Sequence, residues 1–502
     1  MIKRSNLLMW FFFILSLIPT MSFGIGGDCE QQFLVAKIFL ETGDIFLYIN
    51  NITGEKIYSI YGLLLSIWLI PFILIGKLFA GLFNNSFFIS VFVGMANSII
   101  IFGNIYFFYK ILKFFDIKAK IAFYSACFFI FTSMLFVYNS ATFTEQLSSL
   151  LALIAFYYIL KYKQDRRLLN LFISGCVVGL SVHSKFSNYI VLFFPLLFFV
   201  FLIMRRQTQL SFKGLILFVF PYLIACVLML SINYYKFGFL GMSYCNVDID
   251  YSYCFEGIWG NFFSPGKSIF LYNLPLFISC FYFKRFYYKF KQEALFICVL
   301  LIVNILPIAI TYYWHGGLAW GSRYLFLIIP FGYIIFSVIL NNIDFSRKYK
   351  KFFVLSLFIL PFMINIFGVV FSYGLWERIL AEEVSLHDNN HAYFIPRYSP
   401  ILGSFVLAFT AIKPEHDSIV ALLSKKIFVD DKVLNKYKKG IVPSIWIYKL
   451  LTGRLVEANS DKLKLINNSY LRNCLFFIYV LIMAFIGGLA YILIKRDDLC
   501  QI

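Results

Sequence analysis

The chain has 502 residues, 61% of them hydrophobic and 14% charged, with a formal net charge of +19. A soluble domain carries about 25% charged residues, and no soluble core could bury the many apolar runs of about 17–25 residues found here, each able to cross roughly 30 Å of hydrocarbon. The runs are continuous rather than alternating, which excludes a β-barrel. Lys and Arg gather in the short connections between runs, as membrane orientation by positive charge requires, and this argues against a nucleic-acid partner.

Residues 1–27 open with Lys3 and Arg4, continue apolar and end near Ser22 and Gly24. The pattern resembles a signal peptide, but with so many apolar segments behind it we read an uncleaved first membrane helix. Its basic start leaves residue 28 onward outside. In 30–41, Phe33, Ala36, Ile38 and Leu40 are mixed with Lys37 and Glu41, which suits a helix lying at the interface. Residues 58–80 are apolar enough to span, yet a crossing there would put Lys110, Lys113, Lys118 and Lys120 outside. Gly62 and Pro71 interrupt the run, so a re-entrant or surface-lying helix is expected.

The short basic loops at 110–120, 161–167, 205–213, 284–291 and 341–352 read as cytoplasmic, as do Lys495 and Arg496. They set spans near 87–109, 119–137, 142–160, 168–185, 188–204, 214–233, 267–284, 293–312, 323–340, 351–372 and 470–494. With the first helix, the expectation is an all-α polytopic membrane protein of about 12 (11–13) transmembrane helices, both termini inside. Three outer regions, 28–57, 234–266 and 373–468, are large enough to host a site. Cys245 and Cys254 share one polar segment and could pair, but no cysteine spacing suggests a metal site.

The polar residues at outer helix ends carry the chemistry. Asp28 and Glu30 lie in GIGGDCEQQ, just past the first helix, where glycines allow close approach to a ligand. Either is a solvated loop carboxylate or a base whose pKa is raised by partial desolvation. Glu145, in YNSATFTEQLSS, is either the acidic end of a capping box begun by Thr142 or a site carboxylate on the same outer face. His183 and Lys185 end another segment; Lys185 either snorkels to headgroups or meets a phosphate. The strongest local signal is TYYWHGGLAWGSRYLFLIIP over 311–330, a glycine-rich break followed by Arg323, which is suited to bidentate phosphate binding. Lys267 in NFFSPGK is a companion cation, and Arg397 in FIPRYSP a third.

These stretches, with GGDCEQQFLVAKIFLETGD, IYSIYGLLLSIWLIPF and NYYKFGFLGMSY, resemble the polyprenyl-phosphate-sugar-dependent glycosyltransferases of the GT-C class. The resemblance is closest to the protein O-mannosyltransferase and aminoarabinose-transferase group, glycosyltransferase family 39. It runs from residue 26 to about 340, with PRYSPILGSF beyond. It implies a GT-C-type fold with interfacial helices in the first outer loop. Residues 1–372 would form the catalytic membrane module, 373–468 an extracytoplasmic cap or lid, and 469–502 the final membrane helix and a short cytoplasmic tail.

The family's outer-loop acidic pair falls on Asp28 and Cys29, so the second acid is missing unless Glu30 replaces it. The resemblance makes Asp28 the base and Glu145 a further catalytic acid. Arg323 and Lys185 would hold the lipid phosphate, with Lys267, His315 and Tyr61 as further donor-binding candidates. Asp28 and Glu145 could instead hold a divalent metal ion. The implied reaction is inverting transfer from a polyprenyl phosphate sugar to a lipid, glycan or protein acceptor, outside a bacterial inner membrane. A lipid-linked glycan transporter or flippase, and an O-antigen polymerase or ligase, are the rival readings; transport predicts midplane charges and inverted repeats, neither of which is visible.

Overall fold

The structure, a computed structural model, describes residues 28–139, 142–206, 212–240, 249–317, 319–370 and 390–405, together with Trp376 and Leu380. The expected helices at 1–27 and 470–494, Cys245, and most of 373–468 lie outside the described residues.

The chain enters through α1 (Asp28–Thr42), a hairpin of β1 (Phe46–Ile49) and β2 (Lys56–Tyr58), and α2 (Leu64–Phe83). The bundle follows with α3 (Phe87–Leu112), α4 (Ala119–Phe131), α5 (Met134–Tyr138), α6 (Thr144–Asp165), α7 (Leu168–Ser184), α8 (Asn188–Val191), α9 (Phe193–Arg206) and α10 (Phe212–Phe237). It continues with α11 (Cys254–Phe263), α12 (Ile269–Tyr272), α13 (Leu274–Lys289), α14 (Lys291–Ala309), a 3₁₀ segment (Arg323–Ile328), α15 (Ile329–Asn341) and α16 (Lys348–Val370). Among the described residues, 7 helices are long and apolar enough to cross a membrane, and the apolar helices at Ala119–Phe131 and Leu168–Ser184 are shorter.

Aromatic side chains fill the bundle. Phe156 of α6 stacks on Phe199 of α9 and on Phe296 of α14, with its edge toward Phe331 of α15. Phe129 of α4 lies between Phe108 of α3 and Tyr333 of α15. In lipid, helix association depends on close packing and not on expulsion of water. Small residues serve that end: a side chain at Gly175 of α7 would meet the Phe218 backbone of α10 at 2.2 Å. Lys163 near the end of α6 pairs with the buried Glu293 of α14 at 2.5 Å.

The first outer loop has an apolar cluster of its own. Cys29 and Ala36 of α1 pack with Leu69 and Ile73 of α2 and with Val93 and Ala96 of α3. Within it Ser66 donates to Gln32 at 2.6 Å. The other side of α1, with Glu30, Lys37 and Phe39, is exposed. The β-hairpin, which an all-helical reading of the sequence does not anticipate, is fixed by Asp44. That carboxylate meets Lys56 at 2.6 Å and the Tyr235 hydroxyl of α10 at 3.0 Å. The Lys56 ammonium holds the Asp44 carboxyl below the usual carboxylate range.

The interruption expected at Gly62 and Pro71 does not occur, because Gly62 precedes α2 and the helix runs unbroken through Pro71. The helix has the length of a span. It pairs with α3: Trp68 donates to the Ala96 carbonyl, Gly76 abuts Ile89, and Phe79 meets Phe92. Further along α3, Asn97 reaches the Tyr138 and Asn139 carbonyls at the end of α5.

Gly62 forms the joint between this loop and the bundle. A Cβ there would sit 2.1 Å from the His183 carbonyl oxygen of α7. Gly62→Ala should therefore lower stability by about 1–3 kcal/mol, read as an earlier thermal transition of the detergent-purified chain. Gly81→Ala, with nothing within 4 Å of the added carbon, is the control and should not shift it.

Candidate active site

Three element ends converge at one end of the bundle: the start of α6, the end of α7 and the start of the 3₁₀ segment. The entry to α6 is fixed by Gln146, which accepts from the Phe143 amide at 3.0 Å and donates to the Tyr138 carbonyl at 2.7 Å. The expected capping box of Thr142 and Glu145 is therefore not formed. Gln146 fills the role that spacing from Thr142 gave to Glu145, and the Glu145 carboxylate is directed to partners far along the chain.

Those partners are cations. Lys185, just past α7, places its ammonium 2.9 Å from Glu145 Oε1, and Arg323 Nε lies 4.0 Å from the same oxygen. The Glu145 side chain is only 5% exposed, against 24% for Lys185 and 16% for Arg323. Aromatic faces complete the setting: Lys185 lies over Tyr324, and Arg323 over both Phe143 and Tyr324. Beneath, Asn188 donates to Ser148 and to the Ser181 carbonyl, tying α8 to α6 and α7 and fixing the level of Lys185. Among the described residues, the cluster brings two cations and one carboxylate together in a mostly buried setting.

Arg323 is presented by the glycine-rich loop. Gly316, Gly317 and Gly321 have φ of 74°, 68° and 64°, a region that other residues adopt only with strain. Gly316 lies flat against the Arg323 side chain, where a Cβ would meet Cγ at 2.9 Å. His315 accepts from the Gly317 amide through Nδ1 and stacks on Tyr393. The Trp314 indole donates to Glu256 of α11, and the Trp320 indole to Asn365 of α16. Ser322 donates to Asn261 of α11.

Of the residues singled out in the sequence, Glu145, Lys185 and Arg323 thus form one cluster. Lys267 is fully buried and bonded to the carbonyls of Gly317 and Ala319. With His315 it builds the loop behind Arg323. Tyr61 gives its carbonyl to Lys236 of α10 at 2.9 Å, beside the Gly62 joint. Glu30 is exposed on α1. Asp28 opens α1, and its side chain lies outside the described residues. Part of the expected cap is described: Ser399 donates to the Pro265 carbonyl, and the Tyr393 carbonyl accepts from Gly266. Arg397 belongs to this segment and lies over the Tyr398 ring. Sequence reading missed Gln146, Phe143 and Tyr324, whose roles depend on contacts remote in the chain. It also missed Lys236, whose only signal is a lysine ending an apolar run.

Among the described residues no three His, Cys, Asp or Glu side chains converge on one point. Of the pair expected to hold a divalent ion, Glu145 faces Lys185 and Arg323, and the Asp28 side chain lies outside the described residues.

Residues 68–234 match the family described as dolichyl-phosphate-mannose-protein mannosyltransferase. The matched stretch contains Glu145 and Lys185 and ends before Arg323. Two solved structures of the Archaeoglobus fulgidus oligosaccharyltransferase are also similar. One is tethered with an acceptor peptide containing the NVT sequon via a disulfide bond; it aligns over 85% of this chain at 11% identity and a TM-score of 0.40. The other, in the apo form, aligns over 92% at 10% identity and a TM-score of 0.39. The alignment covers 59% of the oligosaccharyltransferase chain in each case. No curated protein matches the chain. Over residues 68–234 the chain thus resembles the polyprenyl-phosphate-dependent glycosyltransferases of the GT-C type.

Proposed function

We propose that the chain transfers a sugar from a polyprenyl phosphate donor to an acceptor at the extracytoplasmic face of a bacterial cell membrane, with inversion at the anomeric carbon. The observation that carries this reading is the Glu145 carboxylate held between Lys185 and Arg323 at the outer ends of apolar helices. The donor's isoprenoid tail stays in the hydrocarbon and its phosphate meets the two cations. The acceptor is a lipid, glycan or protein.

The step is a direct displacement. Asp28 takes the proton of the acceptor hydroxyl or amine as that atom forms its bond to the anomeric carbon. The bond from that carbon to the phosphate oxygen breaks, and its electron pair leaves with the phosphate. The lipid phosphate thereby gains a negative charge. Arg323 and Lys185 are already in place to stabilise it, which is the form of catalysis that costs no reorganisation.

The test is transfer by the full chain in proteoliposomes, supplied in parallel with polyprenyl phosphate sugars and polyprenyl diphosphate sugars. Transfer from a monophosphate donor, with the anomeric configuration inverted in the product by NMR, is the expected result. Transfer from diphosphate donors alone would favour the polymerase or ligase reading, and flipping of the lipid without transfer would favour the transporter.

A further inference from the structure

We infer that Lys267 is a positioning residue for Arg323 and not a phosphate ligand. The inference rests on the donor-phosphate role proposed for Arg323. Lys267 follows Gly266 in the turn between α11 and α12 and is fully buried. Its ammonium donates to the Gly317 carbonyl at 2.7 Å and to the Ala319 carbonyl at 2.7 Å, with the Tyr393 ring 4.9 Å away. Both acceptors belong to the loop that presents Arg323.

That loop has no regular structure to satisfy its carbonyls, and a buried carbonyl needs a donor. A single ammonium with several donors can serve two carbonyls that a backbone amide could not reach together. The same loop is held by α11, through Glu256 to the Trp314 indole and Asn261 to the Trp314 carbonyl and Ser322. Lys267 adds the hold between those two ends, next to Gly316 and Gly317, where positive φ leaves the backbone free to turn. Gly316 in turn lies against the Arg323 side chain. The path runs from the ammonium to the Gly317 carbonyl, through the peptide to Gly316, and from there to the Arg323 side chain, whose Cγ a Cβ at Gly316 would meet at 2.9 Å. Displacing the loop displaces the guanidinium.

The test uses the full chain purified in detergent and returned to proteoliposomes. Lys267→Met should increase amide hydrogen exchange over 314–322 and leave exchange over 28–45 unchanged. It should lower kcat about 100-fold, the cost of misplacing a catalytic group by about 1 Å, with little change in donor KM. In an Arg323→Ala background the second substitution should add almost nothing, because both act through one group. A loss that falls on donor KM and adds to that of Arg323→Ala would overturn the inference and make Lys267 a phosphate ligand. Unchanged exchange over 314–322 would also overturn it.

Gly316→Ala keeps Lys267 and drives a carbon against Arg323, so it should reproduce the kcat loss if Lys267→Met fails to fold. If it transfers sugar normally, the inference is wrong. Should the wild type transfer sugar from no polyprenyl phosphate donor, the proposed function fails, while the exchange measurement still decides whether Lys267 holds the loop.

Discussion

Asp28→Asn is expected to lower sugar transfer by roughly 10²- to 10⁴-fold, the usual contribution of a general base. Asparagine keeps the size and hydrogen-bonding capacity of aspartate at the start of α1, and it also suits a helix start. The loss should therefore fall on kcat, with the thermal transition unmoved. Glu30→Gln is the informative companion. Glu30 is exposed on α1 while Cys29 is buried against α2 and α3, so the glutamine variant should keep most of its activity. Equal activity of Asp28→Asn and the wild type would remove Asp28 as base; a Glu30 variant as dead as the Asp28 variant would give Glu30 the missing acidic role.

The Arg323 and Glu145 variants should separate binding from chemistry. Arg323→Ala is expected to cost about 10²- to 10³-fold in kcat, as removal of one donor to a developing oxyanion does. Glu145→Gln should behave differently. In the proposed site its carboxylate would compete with the donor phosphate for Lys185, 2.9 Å away. Neutralising it frees the cation for the ground-state donor, so donor KM should fall. It also removes the group that orients both cations, so kcat should fall as well, the pattern that follows loss of a ground-state competitor. Steady-state kinetics with varied donor would show it. A Glu145 variant with raised KM and unchanged kcat would mean that the carboxylate contacts the sugar instead.

How much of this was legible in the sequence varied with the range of the interactions involved. Apolar runs bounded by basic loops report helices directly, and most of the expected spans have a helix in place. The glycine break before Arg323 was equally readable, since three positive-φ positions demand glycine whatever surrounds them. Glu145 was visible only as one of two things, a cap or a site carboxylate. Its partner Lys185 is forty residues on, at |i−j| = 40, and no local pattern could show that Gln146 would serve the helix entry. Lys267 reads from the sequence as a companion cation to Arg323, and nothing local shows that the Gly317 and Ala319 carbonyls take its ammonium. Its burial is set by the return of the Tyr393 segment over the loop. The β-hairpin escaped notice for a similar reason: its short strands, Phe46–Ile49 and Lys56–Tyr58, carry too little pattern, and Tyr235 of a distant helix helps to hold them.

The apolar cluster of Cys29, Ala36, Leu69, Ile73, Val93 and Ala96 is separate from the core that fills the bundle. Asp28 rides on the first of these bodies, and Lys185 and Arg323 on the second. A cavity opened in the small cluster would thus tilt the proposed proton acceptor away from the proposed leaving-group site while the bundle kept its melting temperature. Such a variant would be scored as a catalytic mutant although its lesion is one of packing. Inherited or engineered changes at Leu69 or Val93 would belong to that class: proteins that are made, inserted and stable, yet silent.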